Sequence, residues 1–195
     1  MQIIPAGKKL VLASKSPRRQ ELLKQMGLEF IVRIQSIEET YPEGLEGSAI
    51  AEYLAGQKAD ALSATLRPDE ILLTSDTVVW CNGKSLEKAA DEAEAYRMLK
   101  QLSGKKHEVI TAVCLQSTGH REIFSDTVRV HFRELSDEDI RYYIQTCKPF
   151  DKAGAYGIQG WIGMTGITAI EGSFFTVMGL PTHLIYERLP LFGSR

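Results

Sequence analysis

Three cysteines in 195 residues, Cys81, Cys114 and Cys147, form no C-x-x-C pair, which excludes a disulfide framework and a zinc ribbon and leaves reduced thiols. They are equally spaced, yet their flanks (VWCNG, AVCLQ, QTCKP) share nothing, so no repeat is present. Histidine is as scarce. His107, His120, His131 and His183 are scattered, which removes a His-based triad and reads each as structural. Neither sign of charge prevails: 23 Lys+Arg face 25 Asp+Glu, net −2, against the basic face of a general duplex-DNA binder. Any anion site must therefore be local. G-x-G-x-x-G, H-E-x-x-H and G-x-S-x-G are all missing, and with them the usual dinucleotide, zincin and serine-hydrolase signatures. Gly83-Lys84-Ser85 imitates the end of a phosphate loop, but Val78 stands where that motif needs its first glycine.

Long apolar runs are lacking too. The longest charge-free stretch, residues 153–170, is broken by glycine at 154, 157, 160, 163 and 166, unlike a spanning helix. The N-terminal region offers only the short apolar residues 10–13, too little for a secretory core, and a cytoplasmic protein is expected. What remains is an ordinary globular composition, 44% hydrophobic and 25% charged. At about 100–200 residues per domain, the chain makes a single domain, 1–195, of two intimately packed lobes.

Residues 9–13 read as a strand feeding directly into a helix over 16–26, with Ser16 as N-cap, Pro17 at the first position and Gly27 as stop. Residues 28–34 suggest a strand, and the acidic stretch 36–47 a loop. Helical spacing recurs over 48–65 and 91–102, and over 136–147 behind a Ser136/Asp139 capping box. Strands are predicted at 71–80, ahead of an Asn82-Gly83 hairpin turn, and at 108–116 and 122–132, a hairpin around residues 117–120. Residues 148–166 read as a long Gly-rich loop, 167–170 and 174–178 as strands, and 181–189 as a closing helix. This order predicts an α/β protein with a mixed sheet and two lobes around a cleft.

Chemistry concentrates in three places. Ser14-Lys15-Ser16-Pro17-Arg18-Arg19 sits on a strand-to-helix turn, where free amides and the helix dipole attract anions and the side chains add charge-assisted donors. The plain alternative is a capped helix with solvated arginines. Asp76 emerges within an apolar strand, either as a hydrogen-bonded strand residue or as a metal ligand or general base; Glu38 and Glu39 matter only if folded near it. The segment 148–160 combines glycines with Asp151, Lys152, Tyr156 and Gln159, and suits either close approach to a nucleobase edge or an irregular surface loop.

Ordered blocks along nearly the whole chain resemble the Maf family of nucleoside triphosphate pyrophosphatases. They are Leu12-Ala-Ser-Lys-Ser-Pro-Arg-Arg19, Ile37-Glu-Glu39, Gln57-Lys-Ala59, Ser75-Asp-Thr-Val-Val79, Leu86-Glu-Lys88, Asp151-Lys-Ala-Gly-Ala-Tyr-Gly-Ile-Gln-Gly160 and Glu171-Gly-Ser-Phe-Phe-Thr-Val-Met-Gly-Leu-Pro181. The resemblance implies cleavage between the α- and β-phosphates with a divalent cation, Mg²⁺ or Mn²⁺, on an elongated mixed sheet similar to the inosine triphosphatase group. The Arg-Arg pair and the AGAYGIQG block look like the branch acting on dTTP and UTP, with a house-cleaning role toward modified pyrimidine nucleotides. By position, the resemblance implies Asp76 as proton acceptor, and Arg18, Thr77 and Gln159 as substrate-selecting residues. It likewise implies Ser16, Arg19, Lys58 and Lys88 as phosphate-binding residues, and Glu39, with Asp76, as metal site. Ala89 stands where the family usually has proline after the lysine of this block. The partner expected is a small nucleotide, not nucleic acid or membrane, and the resemblance admits a homodimer. A nucleotide-binding regulator of division or septum formation is the alternative.

Overall fold

The computed structural model describes residues 3–193. Its elements in chain order are β1 (Lys9–Leu12), α1 (Pro17–Gln25), β2 (Phe30–Val32), α2 (Ser48–Ser63), β3 (Glu70–Cys81) and β4 (Lys84–Leu86). They continue with α3 (Glu92–Leu102), β5 (Lys106–Gln116), β6 (Arg121–Phe132), α4 (Asp137–Cys147), α5 (Trp161–Gly166), β7 (Ile167–Glu171), α6 (Phe174–Val177), α7 (Thr182–Arg188) and a 3₁₀ turn, Leu189–Leu191. One mixed sheet has the order β2-β1-β3-β5-β6-β7, with β4 paired to β3. β1 runs parallel to both β2 and β3, whereas β3–β4 and β6–β7 are antiparallel. The expected mixed α/β class is what forms.

Local chemistry sets several element ends. Ser16 accepts the Arg19 amide at 3.5 Å, Pro17 opens α1, and Gly27 at φ 73° ends it. Asn82 and Gly83, both at positive φ, form the two-residue turn between β3 and β4. Around α4 the box closes in both directions: Ser136 Oγ accepts the Asp139 amide at 3.1 Å, and Asp139 Oδ2 accepts the Ser136 amide at 3.0 Å. Arg133, 3.0 Å from that carboxylate, holds its pKa below the ordinary value, with the Ser136 amide assisting.

The chain divides into two compact units. The first comprises residues 1–76, 111–126 and 179–195. There β1 is buried beyond Lys9, and α2 buries Ile50, Ala51, Leu54, Ala55, Ala59 and Leu62. The Arg33 guanidinium makes a two-pronged bond to the buried Glu70 carboxylate, at 2.9 and 2.7 Å, fastening the chain after β2 to the start of β3. The second unit comprises residues 77–110 and 127–178. Its core gathers Leu99 and Leu102 of α3, Val128, Val130 and Phe132 of β6, Ile140, Tyr143 and Ile144 of α4, and Tyr156 and Ile162. Full burial of each aliphatic side chain contributes about 1.5–3 kcal/mol.

Three expectations change. Residues 28–34 yield only the short β2, whose exposed Ile31 and Val32 lie at a sheet edge. Residues 161–166, read as loop, form α5: Gly163 is not a turn residue but a point of backbone contact, since a Cβ there would lie 1.8 Å from the Ile158 carbonyl oxygen. Residues 174–178, read as a strand from their aromatic and β-branched character, form α6. At Gly172, φ 124°, the chain turns tightly over Val128 after β7, and Met178 N bonds back to Phe174 O at 3.1 Å. The next four residues are thus closed into a single helical turn. All three cysteines are free, with Cys81 and Cys114 buried and Cys147 exposed. Among the described residues no helix is long and apolar enough to cross a membrane.

Candidate active site

β1 runs parallel to the first residues of β3 and ends beside the middle of that longer strand. Leu12 pairs with Leu73, and the Ala13 amide bonds to the Leu73 carbonyl at 2.9 Å. Beyond that point one chain turns into α1 while the other continues through Ser75 and Asp76. The turn is internally braced. Buried Ser14 accepts the Ser16 amide on its hydroxyl at 3.2 Å and the Gln20 side-chain amide on its carbonyl at 3.3 Å. Arg18 and Arg19 occupy the first turn of α1, which itself carries no acidic residue. Cations at the positive end of a helix dipole cost about 0.3–1 kcal/mol each, an arrangement that an incoming anion relieves.

Arg19 is tied in by its Nε, which donates to the Gly179 carbonyl at 2.8 Å; the buried Ser75 hydroxyl donates to the same oxygen at 3.3 Å. Burial lowers the Arg19 pKa from its ordinary value and Arg18 adds to that, while Asp76 and Glu39 oppose it. Arg19 and the two carboxylates therefore lie within electrostatic reach of one another. Asp76 itself is only 7% exposed. Its Oδ1 accepts from Lys58 Nζ, and the same ammonium lies 2.9 Å from Glu39 Oε1. Lys58 follows Ala55 by one helical turn on α2, and the Ala55 carbonyl accepts from the buried Thr74 hydroxyl of β3 at 2.6 Å. That bond holds the lysine-bearing turn of α2 to the aspartate-bearing strand.

Ser16, Arg18, Arg19, Glu39, Lys58 and Asp76 thus all belong to the first unit. Thr77, Lys88 and Gln159 belong to the second. There Lys88 pairs with Ala153 as an antiparallel bridge, and the Gly154 amide bonds to Leu86 O at 2.9 Å and Glu87 O at 3.0 Å. Gly154 is needed for that approach, because a Cβ would meet Val79 at 3.0 Å. Lys88 is therefore placed by the Gly-rich segment although Ala89 replaces the family's proline. Gln159 is exposed and lines a pocket with Ile158, Met164, Ile170 and Phe174.

As a metal site the residues are sparse: among the described residues no three His, Cys, Asp or Glu gather to hold an ion. Glu39 and Asp76 nevertheless fit a hard divalent cation, since Mg²⁺ takes one or two carboxylates and completes its shell with phosphate oxygens and water. The Lys58 ammonium already between them shows that the pair accommodates positive charge. Sequence reading gave no role to Ser75 or the Gly179 carbonyl and took Ser14 as an anion donor, whereas all three brace the turn. Buried serines in a strand context leave no periodicity to notice.

A strand that ends on an arginine-bearing helix start, beside a carboxylate–ammonium pair on the neighbouring strand and helix, defines the α/β class of this protein and its candidate site. The chain belongs to the Maf family, described as Maf-like protein, which matches residues 9–192. The dTTP/UTP pyrophosphatase of Phocaeicola vulgatus is 50% identical over 182 residues, covering 93% of this chain and 94% of that protein. That of Flavobacterium psychrophilum is 50% identical over 178 residues, 91% of each chain. Among solved structures, the Staphylococcus aureus Ham1 protein aligns over 64% of this chain and 72% of its own with 18% identity and a TM-score of 0.45.

Proposed function

We propose that this protein hydrolyses pyrimidine nucleoside triphosphates, dTTP and UTP, to the monophosphate and pyrophosphate. The relatives named above act in name on these substrates at 50% identity over nearly the full length of both chains. They favour a hydrolase over a division regulator. The observation that carries the reading is the convergence of Asp76 and Glu39 on Lys58, electrostatically coupled to Arg19.

In such a displacement the protein positions the triphosphate and neutralises charge on the transferring and leaving groups. Arg18, Arg19, Lys58 and Lys88 supply that charge, and Ser16 offers its hydroxyl and amide at the helix start. Asp76 has Oδ1 engaged by Lys58, and Oδ2 accepts the proton of the attacking water. Arg18, Thr77 and Gln159 select the substrate, Gln159 through an amide that both donates and accepts at a base edge. Glu39 and Asp76 would hold Mg²⁺ or Mn²⁺, which when bound would supply charge neutralisation for the phosphates and acidify a water.

A panel of nucleoside triphosphates scored for pyrophosphate against orthophosphate release tests this. Pyrophosphate from dTTP and UTP is expected; orthophosphate release, or no turnover of any nucleotide, would reject the assignment.

A further inference from the structure

The least exposed histidine, His107 on β5, takes no part in the mechanism above, yet it is 2% exposed and hydrogen-bonded. Its Nε2 lies 2.7 Å from the Tyr156 hydroxyl, its ring stacks on Phe132 at 5.5 Å, and Tyr156 meets both rings edge-on. Among the described residues its buried Nδ1 has no partner, so the ring's polar anchor there is the hydrogen bond to Tyr156. A buried imidazole with an unpaired nitrogen is costly to keep for packing alone; Phe132 shows that an apolar ring fits this core.

What the tyrosine carries is the Gly-rich segment. Ala155, immediately before it, is fully buried in a left-handed conformation, φ 55°, which a non-glycine residue holds only when its surroundings enforce it. Immediately after it, the Gly157 amide donates to the Tyr143 hydroxyl of α4 at 3.2 Å. The backbone is therefore pinned at two consecutive residues, from β5 and from α4, just before the exposed Gln159.

We propose that His107 is a positioning residue for substrate recognition: through Tyr156 it fixes residues 156–159 and thereby aims the Gln159 amide at the nucleobase. This rests on the reading of Gln159 as a base contact. The neutral imidazole suits the task, because burial, assisted by His131, lowers its pKa to about 4.

The test compares Tyr156→Phe, His107→Phe and His107→Gln with wild type. Tyr156→Phe keeps the ring and removes the hydroxyl; glutamine at 107 retains a donor and acceptor near the position of Nε2. Expected for both phenylalanine variants is an about tenfold rise in KM for dTTP with kcat within about threefold of wild type, and a falling preference for dTTP over dGTP. His107→Gln should restore part of that preference. Amide hydrogen exchange at residues 157–160 should accelerate in Tyr156→Phe without any nucleotide present. Unchanged exchange there, or unchanged dTTP/dGTP preference in an active enzyme of lowered Tm, overturns the proposal. Wild type that cleaves no nucleotide would sink the functional reading instead, and the exchange measurement would still decide whether His107 holds the segment.

Discussion

Lys58 on α2 and Asp76 on β3 share a hydrogen-bonded ion pair, and the same ammonium reaches Glu39 at 2.9 Å. Because Thr74 bonds the helix to the strand at Ala55, the pair is set by tertiary packing rather than by flexible side chains meeting at a surface.

From this pair follows the sharpest mutational expectation. Asp76→Asn keeps the shape of the side chain and its contact with Lys58 but cannot accept a proton as a carboxylate does. Turnover of dTTP should fall by about 10²–10⁴-fold while nucleotide binding, followed by calorimetry, stays within a few-fold of wild type. Undiminished kcat would take Asp76 out of the reaction.

Glu39 is the more exposed of the two carboxylates, with a side chain 40% accessible. Chelation by EDTA should halt turnover and added Mg²⁺ restore it. In Glu39→Gln the Mg²⁺ concentration for half-maximal rate should rise about tenfold. An unaltered metal titration in that variant would assign the cation elsewhere.

The Arg33–Glu70 pair supplies a stability test away from the chemistry. The hydrogen bonds from Arg33 hold the Glu70 carboxyl below its ordinary pKa, although burial opposes this. Its contribution is therefore complete above the unfolded value and disappears as pH falls through the lower folded value. Removing one partner of a fully buried pair costs about 3–5 kcal/mol; with the Arg33 side chain 26% exposed, Glu70→Gln should cost about 2 kcal/mol at pH 7. Urea denaturation at pH 7 measures the loss.

His107 acts on stability with the same sign of pH slope over a different range. Unfolded histidine takes up a proton near pH 6.5, whereas the folded one resists until about 4. Stability should therefore fall as pH drops from 6.5 towards 4, by about 3 kcal/mol in all at 1.4 kcal/mol per pH unit. His107→Phe should flatten that slope between pH 6.5 and 5, above the range where most carboxylates titrate. Parallel slopes for variant and wild type would contradict it.

Gly163→Ala places a methyl group 1.8 Å from the Ile158 carbonyl oxygen, backbone that cannot yield without moving Gln159. A loss of about 2–4 kcal/mol and impaired dTTP turnover are expected. Gly119→Ala, with nothing within 4 Å of the added carbon, should leave Tm within about a degree.

The capped helices are legible from sequence alone because their determinants lie within four residues: Ser16 and Pro17 at the start of α1, Ser136 with Asp139 at the start of α4. The Asn82-Gly83 turn after the apolar run of β3 is equally local. Residues 161–166 and 174–177 resist such reading. Glycine looks the same in the sequence whether it bends a loop or admits a carbonyl, and a four-residue run of two phenylalanines and two β-branched residues has no period long enough to separate helix from strand.

The site divides along the same line. Sequence by itself determined that hydroxyls and a guanidinium pair stand at a strand-to-helix turn and that a carboxylate sits in an apolar strand, because residue type and neighbouring pattern carry that information. Only the tertiary structure decided which groups meet. Lys58 and Asp76 are 18 positions apart and His107 and Tyr156 49 apart, and such distances are closed by strand register and core packing, in which no single segment holds both partners.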